Sequence, residues 1–146
     1  MAITFRNVDA SPADPVQTWP YEGVLIALER GGLSEWRRLG RAIRDDPWGL
    51  VARHVEQVVD VAHPFGVSEV MTDLIVEARA LAEQEERAHV AEEVRDLVAR
   101  SGLTQARFAA DIGTSASRLS TYATGAVVPS ATLMVRMRRT AERTLT

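Results

Sequence analysis

Between residues 101 and 125 the chain reads SGLTQARFAADIGTSASRLSTYATG, and three glycines set the limits of what this stretch can form. Gly102, Gly113 and Gly125 stand where helices would stop, because glycine accepts the left-handed backbone that a helix C-terminus needs. Thr104 follows the first glycine, and Thr114 or Ser115 the second; such hydroxyls accept hydrogen bonds from the free N–H groups of a new helix. Between them, Phe108, Ala109 and Ile112 form an apolar stripe at helical spacing. In the next segment Leu119 and Tyr122 face inward, whereas Ala116, Ser117, Ser120 and Thr121 face outward. The pattern predicts two short helices joined by a tight turn. The outward face of the second is small and uncharged, so it can approach base edges in the major groove of DNA more closely than a bulky or acidic face could.

A spaced set of residues carries a family resemblance. Gly102-Leu103-Thr104-Gln105, Phe108-Ala109, Ile112-Gly113-Thr114-Ser115, Leu119-Ser120, Gly125 and Pro129-Ser130 followed by Leu133 resemble the Cro-like phage-repressor family of helix-turn-helix proteins, over roughly the last third of the chain. The resemblance implies sequence-specific binding of double-stranded DNA, usually as a homodimer, with Ser115 to Tyr122 as the recognition helix. In that reading Ser117, Ser120 and Thr121 touch bases, and Arg118 reaches a base or a phosphate. Gln105, at the donor-rich start of the preceding helix, and Thr124 hold the DNA backbone. Ser115 opens the recognition helix.

Two positions depart from the family pattern. Where the family often has a glutamine that can read adenine, this chain has Ala116, which offers only a methyl contact, for instance to thymine. Where the family often pairs a glutamate with an arginine of the preceding helix, this chain has Ala123 and Val98. A charged pair replaced on both sides by apolar residues can be neutral or stabilising, so the double change does not signal decay of the domain.

The remainder of the chain differs in charge. Residues 1–100 hold 11 arginines against 18 acids, a net −7, whereas residues 101–146 hold 6 against 2, a net +4; together these give the chain's −3. An acidic front and a basic back suit a protein of which only the back meets a polyanion. All 17 basic residues are arginine, whose planar fork suits phosphate and guanine. With no cysteine, disulfides, thiolate metal sites and a cysteine nucleophile are excluded. No signal-peptide pattern and no long apolar run is present, so a soluble, cytoplasmic protein without a membrane segment is expected.

Read from its start, the chain alternates Ile3 and Phe5 with Thr4 and Arg6, a weak strand signal over Ala2 to Val8. Ser11-Pro12-Ala13-Asp14-Pro15 reads as a prolyl linker. Helices are predicted from Pro20 to Arg30, from a Ser34 cap to Arg44, and from an Asp46-Pro47 start through Leu50, Val51, Val55, Val58 and Val59 to His63. Trp19, Trp36 and Trp48 are expected in the core of this module. Ser68 opens a run without proline or glycine to residue 100, roughly 50 Å if it is one helix, or else two nearly collinear ones around the polar stretch Glu83 to Arg87. Its Met71, Leu74, Ala78 and Leu81 can pack on the first three helices or pair in a dimer. Ser130 caps a last helix, on which Leu133, Met134 and Met137 face inward. Arg136, Arg138, Arg139 and Arg143 on that helix either steer toward phosphate or offset the helix dipole.

The expected fold is therefore all-α. Residues 1–66 form an N-terminal arm, with room for a short strand, and an acidic helical interaction module. Residues 67–90 form a long connecting helix, and residues 91–146 a four- to five-helix Cro-like helix-turn-helix domain. His54, His63 and His89 fall on different segments without metal spacing, and no catalytic constellation or phosphate loop is present, so neither enzyme activity, metal nor cofactor is expected. The expected function is an autoregulatory repressor of its own operator. Its overall plan is similar to that of antitoxins in actinobacterial toxin–antitoxin operons, which implies a toxin bound by the N-terminal module. The alternative is a plain transcriptional regulator whose N-terminal domain dimerises or senses a ligand.

Overall fold

A computed structural model describes residues 3–143. Among the described residues there are seven α-helices and no strand: α1 (Tyr21–Arg30), α2 (Leu33–Asp45), α3 (Leu50–Ala62), α4 (Ser68–Ser101), α5 (Gln105–Ile112), α6 (Ala116–Thr124) and α7 (Ala131–Arg143). The chain makes two compact units, residues 1–82 and 83–146. The long run without proline or glycine is a single helix, α4, which contributes to both.

The first unit closes around Trp19, Leu28, Leu39, Ile43, Val55 and Met71, all essentially without solvent contact. Full burial of side chains of this size stabilises by roughly 1.5–3 kcal/mol each. The Met71 stripe of α4 is absorbed here: Met71, Ile75 and Ala78 are buried in this core and Leu74 packs against it, whereas Leu81 is exposed. The tip of Leu74 also comes within 3.1 Å of where a side chain on Gly40 would stand, so α2 and α4 approach closely there.

The alternation at the N-terminus does not make a strand over the described residues, and Ala2 lies outside them. A strand needs a partner for its hydrogen bonds, and an isolated one finds none. Ile3 and Phe5 instead pack on the helical core, with the Phe5 ring edge-on to Trp19 at 5.1 Å and directly over Gly23. Ser11–Pro15 is not a free linker either. Ser11 N–H donates to the Asp14 carboxylate at 2.9 Å, closing a turn. The Arg38 guanidinium donates to the carbonyls of Pro12 and Asp14 and lies 5.0 Å from the centre of the Trp19 ring.

Three local readings are corrected. α2 begins one residue before Ser34: Gly32 is its cap, and the Glu35 carboxylate accepts the Gly32 N–H at 2.8 Å. Asp46-Pro47 does not begin α3 but forms a turn, closed by Gly49 N–H donating to the Asp46 carbonyl, and the helix starts at Leu50. Trp48, in that turn, is half exposed rather than core; the guanidinium of Arg79 stacks 4.6 Å over its ring.

The second unit packs the end of α4 with α5, α6 and α7. Val94, Leu97, Phe108, Ile112, Leu119 and Met137 are its buried centre. The polar stretch of α4 ahead of it, residues 83–89, is exposed throughout. Among the described residues no helix is long and apolar enough to cross a membrane.

Candidate nucleic-acid interface

The site is built by the caps. Thr104 has an extended backbone, and its hydroxyl accepts the Arg107 N–H at 3.2 Å, starting α5. Gly113 then takes φ +80°, a conformation that side-chain-bearing residues rarely adopt, and Thr114 N–H reaches back to the Ala109 carbonyl at 2.9 Å. Of the two hydroxyls that could cap the next helix, Ser115 does so, accepting the Arg118 N–H at 3.1 Å. The turn between α5 and α6 is thus fixed at both ends. Phe108, Ala109 and Ile112 from α5 and Leu119 and Ala123 from α6 lock the two helices face to face in the core.

This leaves the other side of α6 in solvent. Ser120 and Thr121 each stand three or four residues from both Ser117 and Thr124, so the four line one side of the helix, and all but the partly covered Thr121 are exposed. Ala116 and Arg118 flank this face and are exposed too. The hydroxyls are not equally free. Ser115 is occupied by its cap and lies 3.2 Å from the Ser117 hydroxyl. Thr121 donates to the Arg118 carbonyl at 2.6 Å and Thr124 to the Thr121 carbonyl at 3.2 Å, so each keeps only acceptor capacity for a partner. Gln105 is exposed at the first residue of α5. No acid occurs between residues 112 and 141, and Asp111 is paired with Arg107 at 3.2 Å, so α6 and the turns that flank it carry no acid of their own.

Ala123 is buried in the second core and Val98 packs against that core, so neither position holds a charge that needs a partner. An arginine of α4 nevertheless serves the end of α6: Arg95 Nη1 donates to the Ala123 carbonyl at 2.6 Å. Two of the four arginines of α7 are engaged with neighbouring helices. Arg136 donates to the Ile112 carbonyl at the end of α5 at 3.3 Å, and Arg138 pairs with Glu93 of α4 at 2.8 Å, which holds the Glu93 carboxyl below its ordinary value. Arg143 bonds within its own helix, to the Arg139 carbonyl and the Thr140 hydroxyl. The helix-tying roles of Arg95 and Arg136 escape sequence reasoning, because a carbonyl acceptor 24 or 28 residues away leaves no local pattern. Among the described residues no group of three or more histidines or acids could hold a metal ion.

The fold of this unit defines a class: short helices whose turn sets one solvent-facing helix on a rigid three-helix support. Residues 89–144 match a family described as a helix-turn-helix domain. The match covers the second unit and supports a DNA-binding regulator of the helix-turn-helix kind. No curated protein and no solved structure matches the chain.

Proposed function

We propose that the protein is a sequence-specific transcriptional repressor that acts in the cytoplasm on an operator of double-stranded DNA, including that of its own gene. The observation that carries this is the division of α6 between a buried side, Leu119 and Ala123, and a short-chained polar face free of acids. Such a helix fits the major groove, where Ser117, Ser120 and Thr121 meet base edges and Ala116 offers its methyl to thymine. Arg118 reaches a guanine or phosphate from the flank. Gln105 and Thr124 hold phosphates on either side, and Ser115 sets the pitch of the helix by capping it. A homodimer would read two half-sites about 34 Å apart. The test is a salt-varied binding titration on the DNA upstream of the gene, against scrambled DNA. Tight, sequence-dependent binding that weakens steeply with salt is expected; equal binding to both DNAs would overturn the reading.

A second activity, neutralisation of a toxin encoded beside it, draws support from Phe65. The turn between α3 and α4 holds this ring wholly in solvent, at 102% exposure, flanked by His63 and Gly66 in left-handed conformations. Fully presented aromatics of this kind anchor protein partners. The unit that carries it is acidic, with 8 arginines against 12 acids over residues 1–82. Co-expression with the neighbouring gene product should give a complex that Phe65→Ala weakens, and failure to co-purify would leave the protein a plain regulator.

A further inference from the structure

The side of α3 that faces away from the first core carries Leu50, Arg53, Gln57, Asp60 and Val61, spaced so that all stand on one flank of the helix. With Thr72 and Val76 of α4, most of this flank walls an open cleft of about 730 Å³. Two aliphatic residues of the cleft are poorly covered, Leu50 at 47% and Val76 at 62% exposure, and Val61, on the same flank of α3 beyond the cleft, is 73% exposed. Leu50 and Val76 share the wall of one cleft, and exposed aliphatic side chains gathered in this way mark interfaces.

Charge on this flank is sorted along its length. Arg53 stands toward the start of α3 and Asp60 seven residues further on, about 10 Å along the axis. Among the described residues neither has an ion-pair partner; Arg53 makes one long bond, to the Gly49 carbonyl at 3.5 Å. The neighbouring Glu56, by contrast, is neutralised by Arg79. One free cation and one free anion, with the midpoint between them at Glu56 and Gln57, make a flank that is complementary to itself. A two-fold axis through that midpoint reverses α3 in a second copy. Each Arg53 then meets the other copy's Asp60, and each Leu50 falls within a helical turn of the other copy's Val61.

We propose that this flank of α3 and α4 is an isologous dimer interface whose occupant is the same flank of a second copy of the chain. The apolar residues supply the affinity, and the two symmetry-related charge pairs fix the direction in which the helices run. The proposal deepens the reading of the protein as a dimeric regulator and rests on it for its consequence, since a dimer brings two copies of α6 to one operator.

The experiment is sedimentation of the full chain without DNA over a range of concentrations. A species of twice 16.0 kDa is expected. Arg53→Asp and Asp60→Arg each place like charges in both pairs and should weaken the dimer roughly tenfold. The double variant restores the pairs and the dimer. Mixing the two single variants should give a heterodimer tighter than either homodimer, since each then faces opposite charge. Val76→Glu should be monomeric with its helical circular dichroism unchanged, since the site is exposed. A monomer at every concentration, or a dimer indifferent to all these changes, overturns the proposal. The DNA reading fails separately, if the wild-type chain self-associates and yet binds operator and scrambled DNA alike.

Discussion

The guanidinium of Arg95, on α4, donates to the main-chain carbonyl of Ala123, near the end of α6, at 2.6 Å. The last carbonyls of a helix lack intrahelical donors, and a cation placed there satisfies one of them and complements the helix dipole. α6 is only nine residues long, too short to hold its shape unaided in water. Replacing Arg95 by methionine keeps the aliphatic stem and removes the donor. The second unit should lose about 1 kcal/mol, read as a lowered midpoint in chemical denaturation, and operator affinity should fall with it.

Gly113 makes a second test of the geometry around α6. A methyl group there would touch nothing closer than the Arg136 guanidinium at 3.7 Å, so space is not the obstacle. The obstacle is φ +80°. Gly113→Ala should therefore cost about 1–2 kcal/mol through the backbone alone, and Gly113→Asn, which tolerates this conformation better, should cost less. Equal losses for the two variants would place the strain elsewhere.

The polar face of α6 should be separable from its fold. Ser117→Glu combined with Thr121→Glu places two carboxylates where phosphates and base edges would approach. Specific DNA binding should vanish, while far-ultraviolet circular dichroism and thermal midpoint stay close to wild type. Retained operator binding by this variant would refute the assignment of α6 as the recognition helix.

The first unit carries a pH dependence at His54. Burial holds its imidazole below the ordinary value, the adjacent Arg53 lowers it further, and Glu22 opposes both. Because the folded value lies below the unfolded one, protonation favours the unfolded chain. The contribution is therefore complete above the ordinary value of 6.5 and is lost as pH falls below it toward the folded value. Denaturation midpoints of the full chain should decline across this range, and His54→Gln should flatten the decline.

What could be read from residues was whatever acts locally. Thr104, Gly113, Ser115 and Gly125 work through neighbours three to five positions away, so the capped helices around them were visible in the order of the letters. The same logic misplaced the start of α3. Asp46-Pro47 carries a helix-start signal, but it closes a turn instead, and Leu50 begins the helix after the Gly49 cap. Trp48 reads as core because hydrophobicity alone cannot show that an arginine 31 positions later, Arg79, stacks over the ring in the half-exposed turn. The Phe5 alternation resembled a strand because Trp19 and Gly23, the surfaces that receive it, lie in a helical unit. Arg95 and Arg136, which tie helices together, are invisible for the same reason: their acceptors are backbone carbonyls, identical at every residue.

On α6 the residues that hold the fold and those that face outward do not overlap. Leu119 and Ala123 belong to the core, whereas Ser120 is exposed and Ser117 touches only the Ser115 cap hydroxyl. A change of letter on the outer side therefore alters what the helix prefers to touch while leaving the scaffold's stability almost untouched. In the proposed reading of α6 as the recognition helix, a new DNA preference can then arise through single substitutions, without passing through an intermediate that fails to fold.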